Sequence, residues 1–186
     1  IVAALGAYLI FYVINPDLTK INLSFTKVGV NEPEEAQVNG SMYSSLVARN
    51  GQQIDASFGS ALDKLKQNGI NTIVASGLRT LEKQQQLIRE NCGGFPATRN
   101  CSPPTCLLKN GPASCPHTTG RAADIWALNS SGGQAIMQDQ CMTNIQACFN
   151  NPYQKALIAA MHAEGFCVLA SEPWHFEKPK MSSACN

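Results

Sequence analysis

Apolar positions in the first half of the chain change from helical to strand-like spacing within a short distance. One stripe repeats at intervals of three and four residues: Phe58, Ala61, Leu62 and Leu65. This spacing predicts a helix that starts near Asp55 and stops at Gly69. The β-branched run over 70–75 predicts a strand, and a second helix is expected over 81–91 with Thr80 as its cap.

The second half repeats this mixture after a long irregular stretch. Residues 123–128 read as a strand, 133–149 and 152–165 as helices, and 166–170 as the last strand, which leads to Glu172. Strands and helices alternate without repeats and without regular crossovers. The pattern therefore predicts an α+β domain with a small, mainly antiparallel sheet flanked by helices.

The chain before this domain divides into two parts. Residues 1–14 carry no charge, but a bilayer-spanning helix needs about twenty apolar residues. We interpret 1–30 as the tail of a membrane anchor with its juxtamembrane segment, and a buried core helix is the alternative. Residues 31–39 are polar and almost free of large apolar groups, so 31–54 is expected to be a linker to a domain over 55–186.

Eight cysteines stand in the sequence, and none forms a Cys-x-x-Cys pair. Their even number favours disulfides formed in an oxidising compartment, and buried free thiols are the alternative. Four of them lie between Cys92 and Cys115 in a stretch without periodicity, which indicates a stapled loop. If the helix over 133–149 is unbroken, Cys141 and Cys148 lie about 10 Å apart along it and cannot pair.

Charge excludes one class of partner. With 14 Lys and Arg against 13 Asp and Glu, the net charge is +1. A nucleic-acid partner is not expected, because such binding depends on a concentrated positive charge.

Two of the three histidines stand next to carboxylates at short spacing. His117 and Asp124 lie seven residues apart, and His175 follows at the end of the predicted sheet. Two imidazoles and a carboxylate form the three-ligand set that catalytic zinc uses, with a fourth position left for water. Glu172 would then be free to accept a proton from that water. A surface hydrogen bond is the simpler interpretation of either His and carboxylate pair alone.

Three motifs in order resemble one enzyme family. Ser76–Thr80 with Gln84, then His117-x-x-Gly-x-Ala-x-Asp124, then Glu172-Pro-Trp-His175-Phe look like the signatures of VanY-type D-alanyl-D-alanine carboxypeptidases. That family belongs to a wider group of zinc peptidases that shares a fold with the hedgehog signalling domain and the lysostaphin-like enzymes. The resemblance covers about residues 55–177.

The resemblance implies a role for each matching residue. His117, Asp124 and His175 would bind Zn²⁺, and Glu172 would be the general base. Arg79 would steady the substrate carbonyl or carboxylate, and Gln84 would support the site. Apart from the resemblance, the position of Trp174 beside His175 leaves two roles open: partly buried packing or a wall of the pocket. A surface salt bridge is the alternative role for Arg79.

The sequence departs from the family at one position. Where the family has a substrate-binding serine two residues before the first histidine, this chain has Cys115. A disulfided cysteine cannot donate as serine does, which leaves D,D, L,D and endopeptidase specificity open. The expected function is a membrane-anchored zinc D,D-carboxypeptidase acting on peptidoglycan stem peptides at the extracytoplasmic face. The alternative is a binding or structural subunit of an envelope assembly.

Overall fold

The computed structural model describes residues 45–186 of the chain, which form six strands and five helices. The strands are β1 (Leu46–Arg49), β2 (Gln52–Asp55), β3 (Thr72–Ser76), β4 (Ala122–Ala127), β5 (Cys167–Leu169) and β6 (Glu172–Glu177). The helices are α1 (Ala56–Gln67), α2 (Leu81–Cys92), α3 (Gln138–Thr143), α4 (Ile145–Asn150) and α5 (Pro152–Ala163). Two 3₁₀ turns, Pro112–Ser114 and Pro116–Thr119, lead into β4.

The main sheet has four strands in the order β3-β4-β6-β5, and every neighbouring pair is antiparallel. Strands β1 and β2 form a separate antiparallel hairpin. The predicted mixture of helices with a small antiparallel sheet is therefore confirmed. Because β4 and β6 are the central strands, side chains on them are held by neighbours on both sides.

One face of this sheet packs against α1 and α5. Large, fully buried side chains of this core come from both helices and both central strands: Phe58, Leu157, Met161, Ile125 and Phe176. Burying a side chain of this size contributes about 1.5–3 kcal/mol. Alternation along β4 sends Ile125 into this core and leaves Asp124 on the opposite face, away from α1 and α5.

The single helix predicted over 133–149 is wrong. Two short helices, α3 and α4, meet at Asn144, which ends the first and caps the second by accepting a hydrogen bond from the Ala147 amide at 3.3 Å. The break brings Cys141 and Cys148 together with a Cα separation of 5.2 Å, and they form a disulfide. Asparagine favours such caps because its side chain competes with backbone hydrogen bonding inside a helix.

The end of the sheet also differs from the prediction. The single strand expected over 166–170 is a hairpin, and Glu172 and His175 lie within its second strand, β6. Pro173 argues against a central strand in this segment, since proline has no backbone amide hydrogen to donate. The pairing with β5 shifts register between Val168 and Leu169, which accommodates the proline.

Regular structure is present before Asp55, where the domain was predicted to start. Strands β1 and β2 occupy the last residues of the predicted linker, and Ile54 is fully buried. The hairpin is hard to recognise because each of its strands has only four residues. The rest of the predicted linker and the anchor predicted over 1–30 lie outside the described residues. Within residues 45–186, no helix has both the length and the apolar character needed to cross a bilayer.

All eight cysteines form disulfides, as the even count predicted. The pairs are Cys92–Cys101, Cys106–Cys115, Cys141–Cys148 and Cys167–Cys185. Two of them staple the long loop between α2 and β4. The loop is therefore an ordered wall beside the sheet, which is the role that the sequence predicted for its cysteines.

Candidate metal centre

The two central strands and the turn before β4 place three predicted ligands side by side. Asp124 on β4 lies directly opposite His175 on β6 in the sheet register. His117 lies in the 3₁₀ turn that precedes β4, and Gly120 ends this turn with a left-handed backbone (φ 69°). A side chain with a Cβ rarely adopts this conformation, so glycine allows the chain to return Asp124 beside the imidazole.

The three ligand atoms form a compact triangle. His117 Nε2 lies 3.3 Å from Asp124 Oδ1, His175 Nδ1 lies 3.0 Å from the same oxygen, and the two nitrogens are 3.2 Å apart. Tetrahedral ligands that each sit about 2.0–2.1 Å from zinc are separated by about 3.3 Å from one another. The spacing therefore fits a zinc ion bound by these three atoms.

The hydrogen bond of His117 sets which ring nitrogen is free. Its Nδ1 lies 2.8 Å from the Gly77 carbonyl, which can only accept, so Nδ1 carries the proton and donates. Nε2 is then left with a lone pair that faces His175 and Asp124. A second bond, from the Arg79 amide to the His117 carbonyl (3.0 Å), ties the same turn to the corner after β3.

Glu177 orients the other imidazole, although it was not among the predicted site residues. It is fully buried, and its Oε1 lies 3.2 Å from His175 Nε2. The carboxylate accepts the Nε2 proton, which leaves Nδ1 as the nitrogen that faces Asp124. Residues two apart on a strand share a face, so the spacing was a usable signal, although an acid two residues from a histidine is too common to single out.

The ionisable groups of this cluster strongly shift one another's pKa values. Burial raises the pKa of Asp124, but the adjacent imidazoles of His117 and His175 outweigh burial and hold that pKa well below its usual range. Burial lowers the pKa of His175, but its hydrogen bonds to Asp124 and Glu177 outweigh this and raise the pKa to about 9. The three ligand atoms therefore attract a positive charge, which a proton or a metal cation can supply.

Glu172 and Arg79 border the same groove as the three ligand atoms. Burial raises the pKa of Glu172, which makes its carboxylate a better proton acceptor. Burial lowers the pKa of Arg79, and the charges of Asp124 and Glu172 oppose that shift. The structure thus places an acid, a guanidinium and the ligand cluster around one space.

Gln84 holds Arg79 in this position. The Gln84 side chain is fully buried; its Oε1 accepts a hydrogen bond from Arg79 Nη1 at 2.8 Å, and its Nε2 donates to the Cys106 carbonyl at 2.7 Å. Arg79 Nη2 also donates to Ser76 Oγ at 3.2 Å. The alternative of a surface salt bridge for Arg79 is not what the structure shows, because its guanidinium is bonded to two neutral side chains beside the groove.

The groove has a volume of about 740 Å³ and two different walls. The stapled loop forms one wall with Pro103, Pro104 and the Cys106–Cys115 disulfide. The other wall contains Trp174, whose ring stacks on Trp126 with centroids 4.8 Å apart, and the exposed Met142. Cys115 thus lines the groove as a disulfide sulfur with no hydrogen to donate.

Comparison with known proteins gives matches among solved structures. The chain matches no protein-family model and no curated protein. It is similar to the LdcB LD-carboxypeptidase, whose structure was described as revealing the basis of peptidoglycan recognition, with a TM-score of 0.50 and 18% identity. That match covers 76% of this chain, which spans 66% of the LdcB chain.

Two VanY structures match with lower TM-scores. One is a VanY D,D-pentapeptidase mutant from a VanB-type resistance cassette in complex with Zn(II), with a TM-score of 0.39, 21% identity, and coverage of 75% of this chain and 81% of that one. The other is VanYB in complex with D-alanine-D-alanine, with a TM-score of 0.38, 19% identity, and coverage of 79% and 83%. The LdcB match, at a TM-score of 0.50, confirms the expected resemblance for the fold.

Proposed function

We propose that this protein is a zinc-dependent D,D-carboxypeptidase that removes the terminal D-alanine from peptidoglycan stem peptides. The observation that carries the proposal is the triangle of His117, Asp124 and His175, whose spacing and converging lone pairs fit zinc. Glu172 and Arg79 beside it complete the groups that peptide hydrolysis needs.

The chain's own residues would divide the work as follows. His117 Nε2, Asp124 and His175 Nδ1 would hold zinc, which when bound supplies Lewis acidity that lowers the pKa of a water and polarises the scissile carbonyl. Glu172 would take a proton from the attacking water and pass it to the leaving amine. Arg79, fixed by Gln84, would stabilise the negative charge on the substrate's terminal carboxylate or on the developing oxyanion.

The charge distribution of the groove supports a short peptide as substrate. Among the described residues that line it, Arg79 is the only lysine or arginine, and half of the lining residues are proline, disulfide-bonded cysteine or other apolar residues. Such a groove suits a ligand with one anionic end and a mostly neutral body. The terminal dipeptide of a stem peptide, with its methyl side chains and single carboxylate, has this character.

A location outside the cytoplasm is part of the proposal. Four disulfides support it, because they form and persist in oxidising compartments. Attachment to the membrane through residues 1–30 is proposed from their apolar sequence alone.

Release of D-alanine from a synthetic stem pentapeptide tests the proposal. Zinc-loaded protein should release it, a chelator should stop the release, and Glu172→Gln should reduce kcat by about 10²–10⁴-fold. Glu164→Gln is the matched control, since Glu164 pairs with Lys64 in an exposed salt bridge and does not line the groove. Failure of zinc-loaded protein to cleave, or cleavage unaffected by Glu172→Gln, would overturn the proposal.

An L,D-carboxypeptidase is the second candidate, and the structural match to LdcB favours it. The same assay with a stem tetrapeptide, in which the last D-alanine follows an L-centre, separates the two activities. A cross-linked peptide used in the same way tests for an endopeptidase. Binding to cell wall without zinc and without cleavage would favour the binding subunit.

A further inference from the structure

The Glu177 carboxylate accepts four hydrogen bonds, and three of them come from the C-terminal segment. Its Oε2 accepts from the backbone amides of Met181 and Ser182, each at 2.7 Å. Its Oε1 accepts from the Ser182 hydroxyl and from His175 Nε2. The carboxylate is fully buried, so its position is set by these donors and not by solvent.

The segment that supplies these donors is itself fastened to β5. Val168 and Asn186 exchange two backbone hydrogen bonds (2.9 and 3.0 Å), and the Ala170 amide donates to the Ala184 carbonyl at 3.1 Å. The Cys167–Cys185 disulfide joins the same two segments, and Cys167 lies opposite Glu177 in the sheet register. Residues 181–186 therefore form a clamp whose position relative to Glu177 is fixed covalently and by backbone bonds.

We propose that this C-terminal clamp, acting through Glu177, is a positioning device for His175 as a metal ligand. The inference rests on the zinc site of the proposed function. Glu177 keeps the proton on His175 Nε2 and directs Nδ1 toward His117 and Asp124. A carboxylate that accepts the second N–H of a ligating histidine fixes the ring orientation and strengthens the nitrogen as a donor.

The two fixed backbone amides make one substitution especially informative. In Glu177→Gln, the amide oxygen must take the Oε2 position, because only an acceptor can face the amides of Met181 and Ser182. The NH₂ group then faces His175 Nε2 and cannot accept its proton. Nδ1 binding to zinc, which requires a proton on Nε2, is therefore disfavoured by a nearly isosteric change.

Zinc affinity measured by competition with a chelating dye tests the clamp on the full chain. Glu177→Gln should weaken zinc binding about 10–100-fold relative to the native protein. Glu164→Gln should bind zinc like the native protein. Ser182→Ala, which removes only the hydroxyl donor, should also weaken zinc binding, by a smaller factor. If circular dichroism shows that Glu177→Gln has not folded, the zinc affinity of Ser182→Ala tests the proposal in its place.

Nuclear magnetic resonance of the zinc-loaded protein supplies a readout that general destabilisation would not mimic. The His175 Nε2 proton should be shifted downfield and exchange slowly in the native protein, and it should lose both properties in Glu177→Gln. Unchanged affinity in folded Glu177→Gln, or an unchanged Nε2 proton, would overturn the clamp while leaving the proposed function intact. Absence of zinc binding by the native protein would overturn both.

Discussion

The two histidines present different ring nitrogens to the candidate metal site, and each choice has a visible cause. His117 faces the site through Nε2 because its Nδ1 donates to the Gly77 carbonyl. His175 faces it through Nδ1 because its Nε2 donates to Glu177. The site is therefore specified as much by the groups behind the imidazoles as by the imidazoles themselves.

Gly77 offers a direct test of the support behind His117. A Cβ added there would lie 2.0 Å from the Gln53 carbonyl oxygen and 2.8 Å from Ile54, so Gly77→Ala must displace the corner that carries the acceptor for His117. We expect a stability loss of about 1–3 kcal/mol and weaker zinc binding.

Thermal unfolding and zinc titration check this prediction. Gly133→Ala is the control, because the nearest atom to a Cβ there is a side-chain atom at 3.6 Å. Equal effects of the two substitutions would contradict the role given to Gly77.

Acid should lower the free energy of unfolding of the metal-free protein, in part because Glu177 becomes protonated. Burial raises the pKa of Glu177, but hydrogen bonds from His175 and Ser182 outweigh it and lower the pKa from 4.5 to about 2. A depressed folded-state pKa contributes stability that is present above about pH 4.5 and is lost as the pH falls toward 2. For one carboxyl the slope is at most about 1.4 kcal/mol per pH unit.

The difference in unfolding free energy between native protein and Glu177→Gln isolates this contribution. We expect the difference at pH 6 to shrink at pH 3, measured by denaturant unfolding of metal-free protein. A difference that does not change with pH would show that the Glu177 charge is not involved.

Residue types and spacing were enough to select the residues that the structure brings together in the triangle, but not the residues behind them. His117, Asp124 and His175 stand out because histidines are rare in this chain and each has an acid nearby. Glu177 and the Gly77 carbonyl do not, since their contacts depend on strand register and on a corner distant in sequence. Contacts of this kind become visible only once the sheet is assembled.

At the scale of elements, α3 and α4 show how one residue redirects a segment. Asn144 divides a continuous apolar pattern, and the resulting bend allows the Cys141–Cys148 disulfide to pack against Trp126 and Trp174. Met142 and Ile145, on either side of the bend, border the groove. The apolar periodicity predicted helical structure on both sides of Asn144 but carried no information about the break, because Asn144 is compatible with either outcome.

Removal of this disulfide should therefore affect substrate binding more than metal binding. We expect a Cys141→Ser, Cys148→Ser double variant to lose about 2 kcal/mol of stability and to show a raised KM. Zinc affinity should be preserved, because the proposed ligands lie on β4, β6 and the turn before β4. Denaturant unfolding, steady-state kinetics and zinc titration measure the three quantities, and loss of zinc binding with KM unchanged would contradict this division.

At the scale of the whole molecule, the described part of the chain includes the β1–β2 hairpin, which supports the corner after β3. The Leu78 amide donates to the Gln53 carbonyl at 2.6 Å, and Ile54 enters the main core. The short length of the two strands concealed this hairpin, and only Ile54 of β2 is fully buried. The helices α1, α2 and α5, with clear apolar stripes or caps, were predicted to within a few residues.

Ile54→Ala tests whether the hairpin belongs to the cooperative unit. Truncating this fully buried side chain should cost about 2–5 kcal/mol, whereas Leu46→Ala on the exposed side of β1 should cost much less. Chemical unfolding followed by circular dichroism compares the two variants. Similar stabilities would mean that the hairpin is not packed as a structural part of the domain.

Anomalous X-ray diffraction at the zinc edge, on crystals of the zinc-loaded protein, tests the central claim most directly. We predict one strong peak about 2.0–2.2 Å from His117 Nε2, an Asp124 carboxylate oxygen and His175 Nδ1, with Glu172 outside bonding distance. No peak among these three atoms, or a peak bound by Glu172 in place of one of them, would contradict the account.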